Sequence, residues 1–151
     1  WDNQDISAHR FESRGVLHCE LSVPGSDIVL HSLCVHLGLF ARGRNQQMAA
    51  LVERIQRAVP ENAPLIIAGD FNDWRNNASR LLARELQLHE VFEVSSGKLA
   101  RTYPCGAPLL RMDRIYVRGL AVQQASIHAH YPWSRISDHA ALSATVSLAV
   151  A

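Results

Sequence analysis

The apolar run Leu65-Ile66-Ile67-Ala68 and the sequel Gly69-Asp70-Phe71-Asn72-Asp73-Trp74 constrain this chain more than any other stretch. Four apolar residues bounded by a glycine read as a short interior strand, and the glycine lets the backbone turn where the strand leaves the sheet. A lone Asp-x-Asn at such a point is usually an Asx turn. Two further acidic points, Asp113 and Ser137-Asp138-His139, argue for more than a turn here. A carboxylate at a strand end can take a proton from water or hold a hard divalent cation. A carboxamide can coordinate through its oxygen while donating through its nitrogen.

Around that core the periodicities alternate between strand and helix. Gly15 to Val23 places Leu17, Cys19, Leu21 and Val23 on one face, and Pro24-Gly25-Ser26 reads as the turn of a hairpin whose second strand runs from Asp27 to His36. That second strand is apolar on both faces, as the interior of a layered fold requires. From Arg44 onward Met48, Leu51, Val52, Ile55 and Val59 fall at helical spacing until Pro60 stops the helix. Asn77 is placed to cap a second helix carrying Leu81, Leu82, Leu86 and Leu88. Residues 1–13 read as irregular and 95–110 as loop. Met112–Val117, Leu120–His130 and the alternating segment from Leu142 to Val150 read as strands. The pattern predicts a mixed α/β sheet with helices on one side.

At 151 residues, 48% of them apolar, the chain suffices for one domain with a filled core. A formal charge of +1 gives no general electrostatic case for nucleic acid, although arginines cluster locally. Cys19, Cys34 and Cys105 are an odd count without metal spacing, and the first two lie in apolar strands as small hydrophobes. That usage suits a reducing, cytoplasmic compartment. No stretch approaches the roughly 20 apolar residues needed to span a membrane. The first residue is Trp1, so the sequence is silent on an upstream signal segment.

The segments Cys34-Val35-His36-Leu37-Gly38, Gly69-Asp70-Phe71-Asn72, Arg111-Met112-Asp113-Arg114-Ile115-Tyr116-Val117 and Ser137-Asp138-His139-Ala140 together resemble the endonuclease/exonuclease/phosphatase superfamily of metal-dependent phosphoesterases. The longer runs His36-Leu37-Gly38-Leu39, Gly69-Asp70-Phe71-Asn72-Asp73-Trp74 and Pro108-Leu109-Leu110-Arg111-Met112-Asp113-Arg114-Ile115-Tyr116 resemble a bacterial subgroup. The resemblance covers the chain from about Arg14 to the end. It implies part of a four-layer α/β/β/α sandwich, mainly the second sheet with its outer helices. Residues 1–151 then form a domain of this type without its N-terminal strands, which in the family hold an early Asn and a metal-binding Glu. Neither Glu12 nor Glu20 sits in the context of that glutamate.

The same resemblance assigns roles residue by residue. Asp70 orients and deprotonates the attacking water, Asn72 donates to a phosphoryl oxygen, and His139 stabilises charge on the phosphate while Asp113 holds its imidazole. Asp138 is a metal ligand, assisted by Asp70 and Asn72. His36 assists the leaving group, though a core histidine is the alternative. Arg44 opens a helix near that edge and can grip a phosphate bidentately. Arg111 and Arg114 flank Asp113 and read as structural or rim charges. His9, His18, His31, His89, His128 and His130 lie outside the motifs and receive no role. Oxygen ligands without cysteine suit Mg²⁺ or Mn²⁺ rather than zinc.

The implied activity is hydrolysis of a phosphodiester or phosphomonoester by in-line attack of water, with nucleic acid as the leading substrate. The alternatives are a phospholipid or inositol phosphate phosphoesterase, and a non-catalytic phosphate-binding fragment. Trp74 and Tyr131-Pro132-Trp133 lie beside the motifs as base-stacking platforms, lipid contacts or rim packing. A single copy of one half would leave Leu17, Cys19, Leu21 and the final strand without a cover, which predicts that the isolated chain is a homodimer or aggregation-prone, and catalytically weak or inactive without the family's metal-holding Glu.

Overall fold

Periodicity along the chain resolves into eight strands and three α-helices in a computed structural model, which describes residues 1–7 and 13–149. His9, Glu12 and Val150 lie outside the described residues. The strands Asp2–Asp5 (β1), Gly15–Ser22 (β2), Val29–His36 (β3), Leu65–Asp70 (β4), His89–Glu90 (β5) and Asp113–Arg118 (β6) form one sheet in the order β1-β2-β3-β4-β6-β5. Only β3 and β4 pair in parallel; every other neighbouring pair is antiparallel. The parallel pair needs a crossover, and helix α1 (Ala41–Ala58) provides it. Leu120–His128 (β7) and Ala141–Leu148 (β8) pair separately as a two-stranded sheet.

The two faces of the main sheet have different covers. On one, Val16, Leu33, Val35, Leu65, Ile67 and Tyr116 pack with Met48, Leu51 and Ile55 of α1 and with Leu82 and Leu86 of helix α2 (Asn77–Leu86). On the other, Ile66, Ile115 and Val117 join Val91 and Phe92 of helix α3 (Val91–Ser96) and Leu142, Ala144 and Val146 of β8. The fold is therefore mixed α/β, with helices, a large sheet and a small facing sheet in succession. Leu17 and Leu21 of β2 belong to neither cluster and remain 39% and 47% exposed.

Several local expectations are corrected. The polar segment at the N-terminus forms β1, because an edge strand needs one partner and no buried face. β5 and most of α3 fall in a stretch to which the periodicity assigns no element, and only the end of α3 enters the 95–110 segment read as loop; the Glu90 carboxylate accepts from the Glu93 N–H as an N-cap. β3 is apolar on one face only: Leu33 and Val35 are buried, whereas Cys34 and His36 are exposed. α1 begins at Ala41 rather than Arg44. Asn77 does not cap α2; the buried Asp73 carboxylate does, accepting from the Ala78 N–H at 2.6 Å. Asp73, within the motif, thus serves the helix start. No helix among the described residues is long and apolar enough to cross a membrane, and Cys19, Cys34 and Cys105 are free thiols.

Candidate active site

Register alone brings three motif residues into a row. His36 ends β3 opposite Asp70, which ends β4 opposite Asp113, which begins β6. Side chains alternate along each strand, so Leu33, Val35, Leu65, Ile67 and Tyr116 point to the helices while His36, Asp70 and Asp113 share the other face. The close approach of β3 and β4 depends on Gly69. Its φ is +143°, and a Cβ there would fall 1.9 Å from the Val35 carbonyl oxygen.

The turn after Gly69 is fastened by Asn72, which is buried with φ of 48°. Asparagine tolerates this left-handed conformation better than most residues. Its backbone N–H donates to Asp70 Oδ1 at 2.8 Å, and its Nδ2 donates to the Leu37 carbonyl at 2.8 Å and to Asp70 Oδ2 at 3.2 Å. Both amide protons are thereby directed at protein oxygens, leaving Oδ1 as the group for an outside partner. Asp70 is thus oriented by a residue two positions away, and the strand end by a tie to β3.

His139 arrives from the loop before β8. Its backbone N–H donates to Ser137 Oγ at 3.1 Å, and the next N–H, of Ala140, donates to the Thr102 carbonyl at 2.7 Å. Nδ1 lies 2.8 Å from Asp113 Oδ2, which selects the tautomer with the proton on Nδ1 and leaves Nε2 for another acceptor or donor. Thr102 Oγ1 accepts from the N–H groups of Met112 and Asp113, both at 3.2 Å, and the Tyr103 ring centroid lies 5.0 Å from that of His139. Thr102 and Tyr103 sit in a segment without a recognisable pattern, so no sequence signal pointed to them.

Asp70, Asp113 and His139 each offer a ligating atom within 4.8 Å of the others. His36 is exposed, with Nε2 3.6 Å from Asp70 Oδ2, too long for a hydrogen bond. A cleft of about 590 Å³ opens over the row and is lined by His36, Asp70, Asn72, Asp138 and His139 together with Trp74 and Tyr103. Asp138 is exposed there and anchored through its carbonyl, which accepts from the Cys105 N–H. Arg14 also lines the cleft. Arg44 does not: it is 4% exposed, its Nη1 donates to the Gly38 and Leu39 carbonyls, and its guanidinium stacks on Trp74. The phosphate grip expected of Arg44 is therefore corrected to bracing the Trp74 wall. Arg114 is structural as expected, donating to Asp113 O, Asp73 O and Asn76 Oδ1.

Charge is crowded in this row. Burial, and then the like charge of Asp113, push the Asp70 carboxyl above its usual range against the Asn72 N–H that favours the anion. Burial alone would lower His139, yet the hydrogen bond and charge of Asp113, followed by Asp70 and Asp138, raise it. An imidazolium beside three carboxylates is thus favoured. Excess negative charge on oxygen donors also fits a hard divalent cation, which Asp138, Asp70 and Asn72 Oδ1 would hold.

Acidic strand ends and an Asp–His pair gathered at one edge of a mixed α/β sheet, beside an open cleft, define an α/β protein with a candidate site there, and comparison with known proteins makes the class specific. The chain belongs to the Endonuclease/Exonuclease/phosphatase family, whose model matches residues 4–139. It is 40% identical over 148 residues to the protein YbhP of Escherichia coli strain K12, covering 98% of this chain and 58% of YbhP. The chain therefore spans little more than half the length of that relative. An endonuclease/exonuclease/phosphatase from Bacteroides vulgatus shares the fold with a TM-score of 0.80 at 17% identity, covering 98% of this chain and 65% of that one. D. rerio TDP2 complexed with a single-strand DNA product shares it with a TM-score of 0.72 at 19% identity, covering 97% and 67% respectively.

Proposed function

We propose that this chain carries the reacting centre of a metal-dependent phosphoesterase that hydrolyses a phosphate ester by in-line attack of water. The observation that supports the reading most is the convergence of Asp70 and His139 on one cleft, with Asp113 holding the His139 ring from behind. Asp70, oriented by Asn72, accepts the proton of the attacking water. His139 donates from Nε2 to a phosphoryl oxygen, and Asp113 positions the ring through Nδ1. Asn72 has its amide protons engaged by the Leu37 carbonyl and Asp70, so it does not donate to a phosphoryl oxygen as expected and offers only Oδ1, a metal-type donor; His36 stands at the open end of the row to meet the leaving oxygen. A Mg²⁺ or Mn²⁺ ion held by Asp138, Asp70 and Asn72 supplies charge to the phosphoryl oxygens when bound.

The substrate is proposed to be a nucleic-acid ester. Trp74, 42% exposed and backed by Arg44, and Tyr103 give the cleft aromatic walls on which a base can stack. A cytoplasmic location rests on the free thiols. Cover of the Leu17 and Leu21 edge by a second copy remains part of the same proposal, to be read by light scattering.

The test is hydrolysis by the protein that carries this chain, with a single-stranded oligonucleotide, an inositol phosphate and phospholipid vesicles in parallel, each with Mg²⁺, Mn²⁺ or chelator. The expected result is metal-dependent release from the oligonucleotide, abolished by chelator without loss of the folded circular dichroism spectrum. Preference for either other substrate would replace nucleic acid, and turnover unaffected by chelator would overturn the metal-dependent reading. Binding of the oligonucleotide without turnover under every condition would leave a phosphate-binding module instead.

A further inference from the structure

A second group of ligating side chains stands on the opposite face of the main sheet and at the opposite end of β3. Glu20 and His31 are direct partners in the β2–β3 register, and His18 is two residues from Glu20, so the three share the face turned toward α1. His31 precedes His36 by five residues, which separates the two groups by about 16 Å at ~3.3 Å per residue. His18 and His31 are both buried, with His18 Nε2 3.0 Å from His31 Nδ1. Glu20 Oε1 lies 4.0 Å from His31 Nδ1, and its side chain is 64% exposed.

Two neutral imidazoles meeting at 3.0 Å share one proton between their facing nitrogens. A tetrahedral ion with Zn–N bonds of about 2.0–2.1 Å would sit between nitrogens roughly 3.3–3.4 Å apart. The pair needs to open by only a few tenths of an ångström, and Glu20 can swing inward from solvent. Charge also permits a cation. Besides His31, the charged groups acting on His18 are Arg54, Glu20 and Asp2. Arg54 is held by Asp2 at 2.8 Å, and Asp2 is the register partner of His18, so two carboxylates face one guanidinium.

We propose that His18, Glu20 and His31 form a transition-metal site of the zinc class, distinct from the hard-ion donors of the cleft. Two imidazole nitrogens and one carboxylate oxygen suit a borderline ion, and exposure of Glu20 leaves a fourth position to water. Bound there, the ion clamps β2 to β3 across the hairpin rather than acting on substrate. Occupancy stabilises the folded chain by an amount that grows with the logarithm of free metal concentration once it exceeds Kd.

The experiment strips the chain with chelator and titrates Zn²⁺ calorimetrically, with metal content after dialysis read by mass spectrometry. It is run in a D70N/D138N background so that the two carboxylates assigned to the cleft's ion are removed, Asp113 staying committed to His139. One equivalent is expected in that background, and Glu20→Gln and His31→Gln should each weaken it by at least about tenfold. Co²⁺ in place of Zn²⁺ should give the visible absorption of a four-coordinate site, lost in the same variants. Failure of the D70N/D138N chain to bind Zn²⁺ overturns the proposal. So does unchanged affinity in E20Q, a surface substitution that decides the matter even where H31Q does not fold.

Discussion

Asp113 Oδ2 and His139 Nδ1 meet at 2.8 Å across 26 residues of chain, joining the first residue of β6 to the loop before β8. This contact sets the imidazole tautomer, so the proposed role of His139 depends on a neighbour that need not touch the substrate. Asp113→Asn should keep the fold and lower kcat by about 10² to 10⁴, with KM much less affected. His139→Ala should do the same, and the double variant should be no worse than the poorer single one, because the pair acts as a unit. Additive losses in steady-state kinetics would mean that the two residues act separately.

Asp70 should cost stability while it is ionised and metal-free. Its folded pKa lies above the unfolded value, so the native state holds this proton more tightly and stability falls as pH rises from the unfolded pKa through the folded one. In chelator, Asp70→Asn should therefore melt higher than the native chain at neutral pH. The advantage should vanish in acid, once the native carboxyl is protonated. Thermal melts across that range measure it, and a lower neutral-pH Tm for the variant would contradict the prediction.

Gly69→Ala should be among the most damaging single substitutions in the chain. The added methyl meets the Val35 carbonyl at 1.9 Å, and both groups belong to backbone in paired strands. Relief requires β3 and β4 to separate where His36 and Asp70 are aligned. Loss of more than about 3 kcal/mol of stability is expected, read as poor soluble yield or a large fall in the denaturation midpoint.

Arg114→Leu tests whether the arginine beside Asp113 is structural. Its guanidinium satisfies the carbonyls of Asp73 and Asp113 and the Asn76 side chain in a fully buried position. An apolar replacement leaves those acceptors without their donor, at about 2–3 kcal/mol. Urea denaturation should show a lower midpoint with an unchanged slope. A loss of activity without a loss of stability would place Arg114 in the chemistry instead.

The site was legible in the sequence to the extent that it follows from strand ends. An apolar run ending in Gly69-Asp70 defines where β4 stops, and strict alternation in β6 places Asp113 and Arg114 on opposite faces. The hairpin of β2 and β3, α1, α2 and the final strand were also readable, because burial of one face leaves a periodic trace. β1 and β5 left none, since their residues are mostly polar and their pairing is carried by backbone groups. α3 was hidden because it is a short helix without a long apolar period.

What the amino-acid sequence determined by itself is the set of local instructions: which segments alternate, where glycine and proline break them, and which chemical groups stand at the breaks. Only the tertiary structure decided which of those groups meet. It withdrew Arg44 from the cleft by giving its donors to the Gly38 and Leu39 carbonyls, and it assigned Asp73 to the start of α2. It added Thr102 and Tyr103 beside His139 and paired His18 with His31. The physical reason is that a side chain's role depends on the partners available within about 3 Å. Those partners come from segments whose separation along the chain carries no signal.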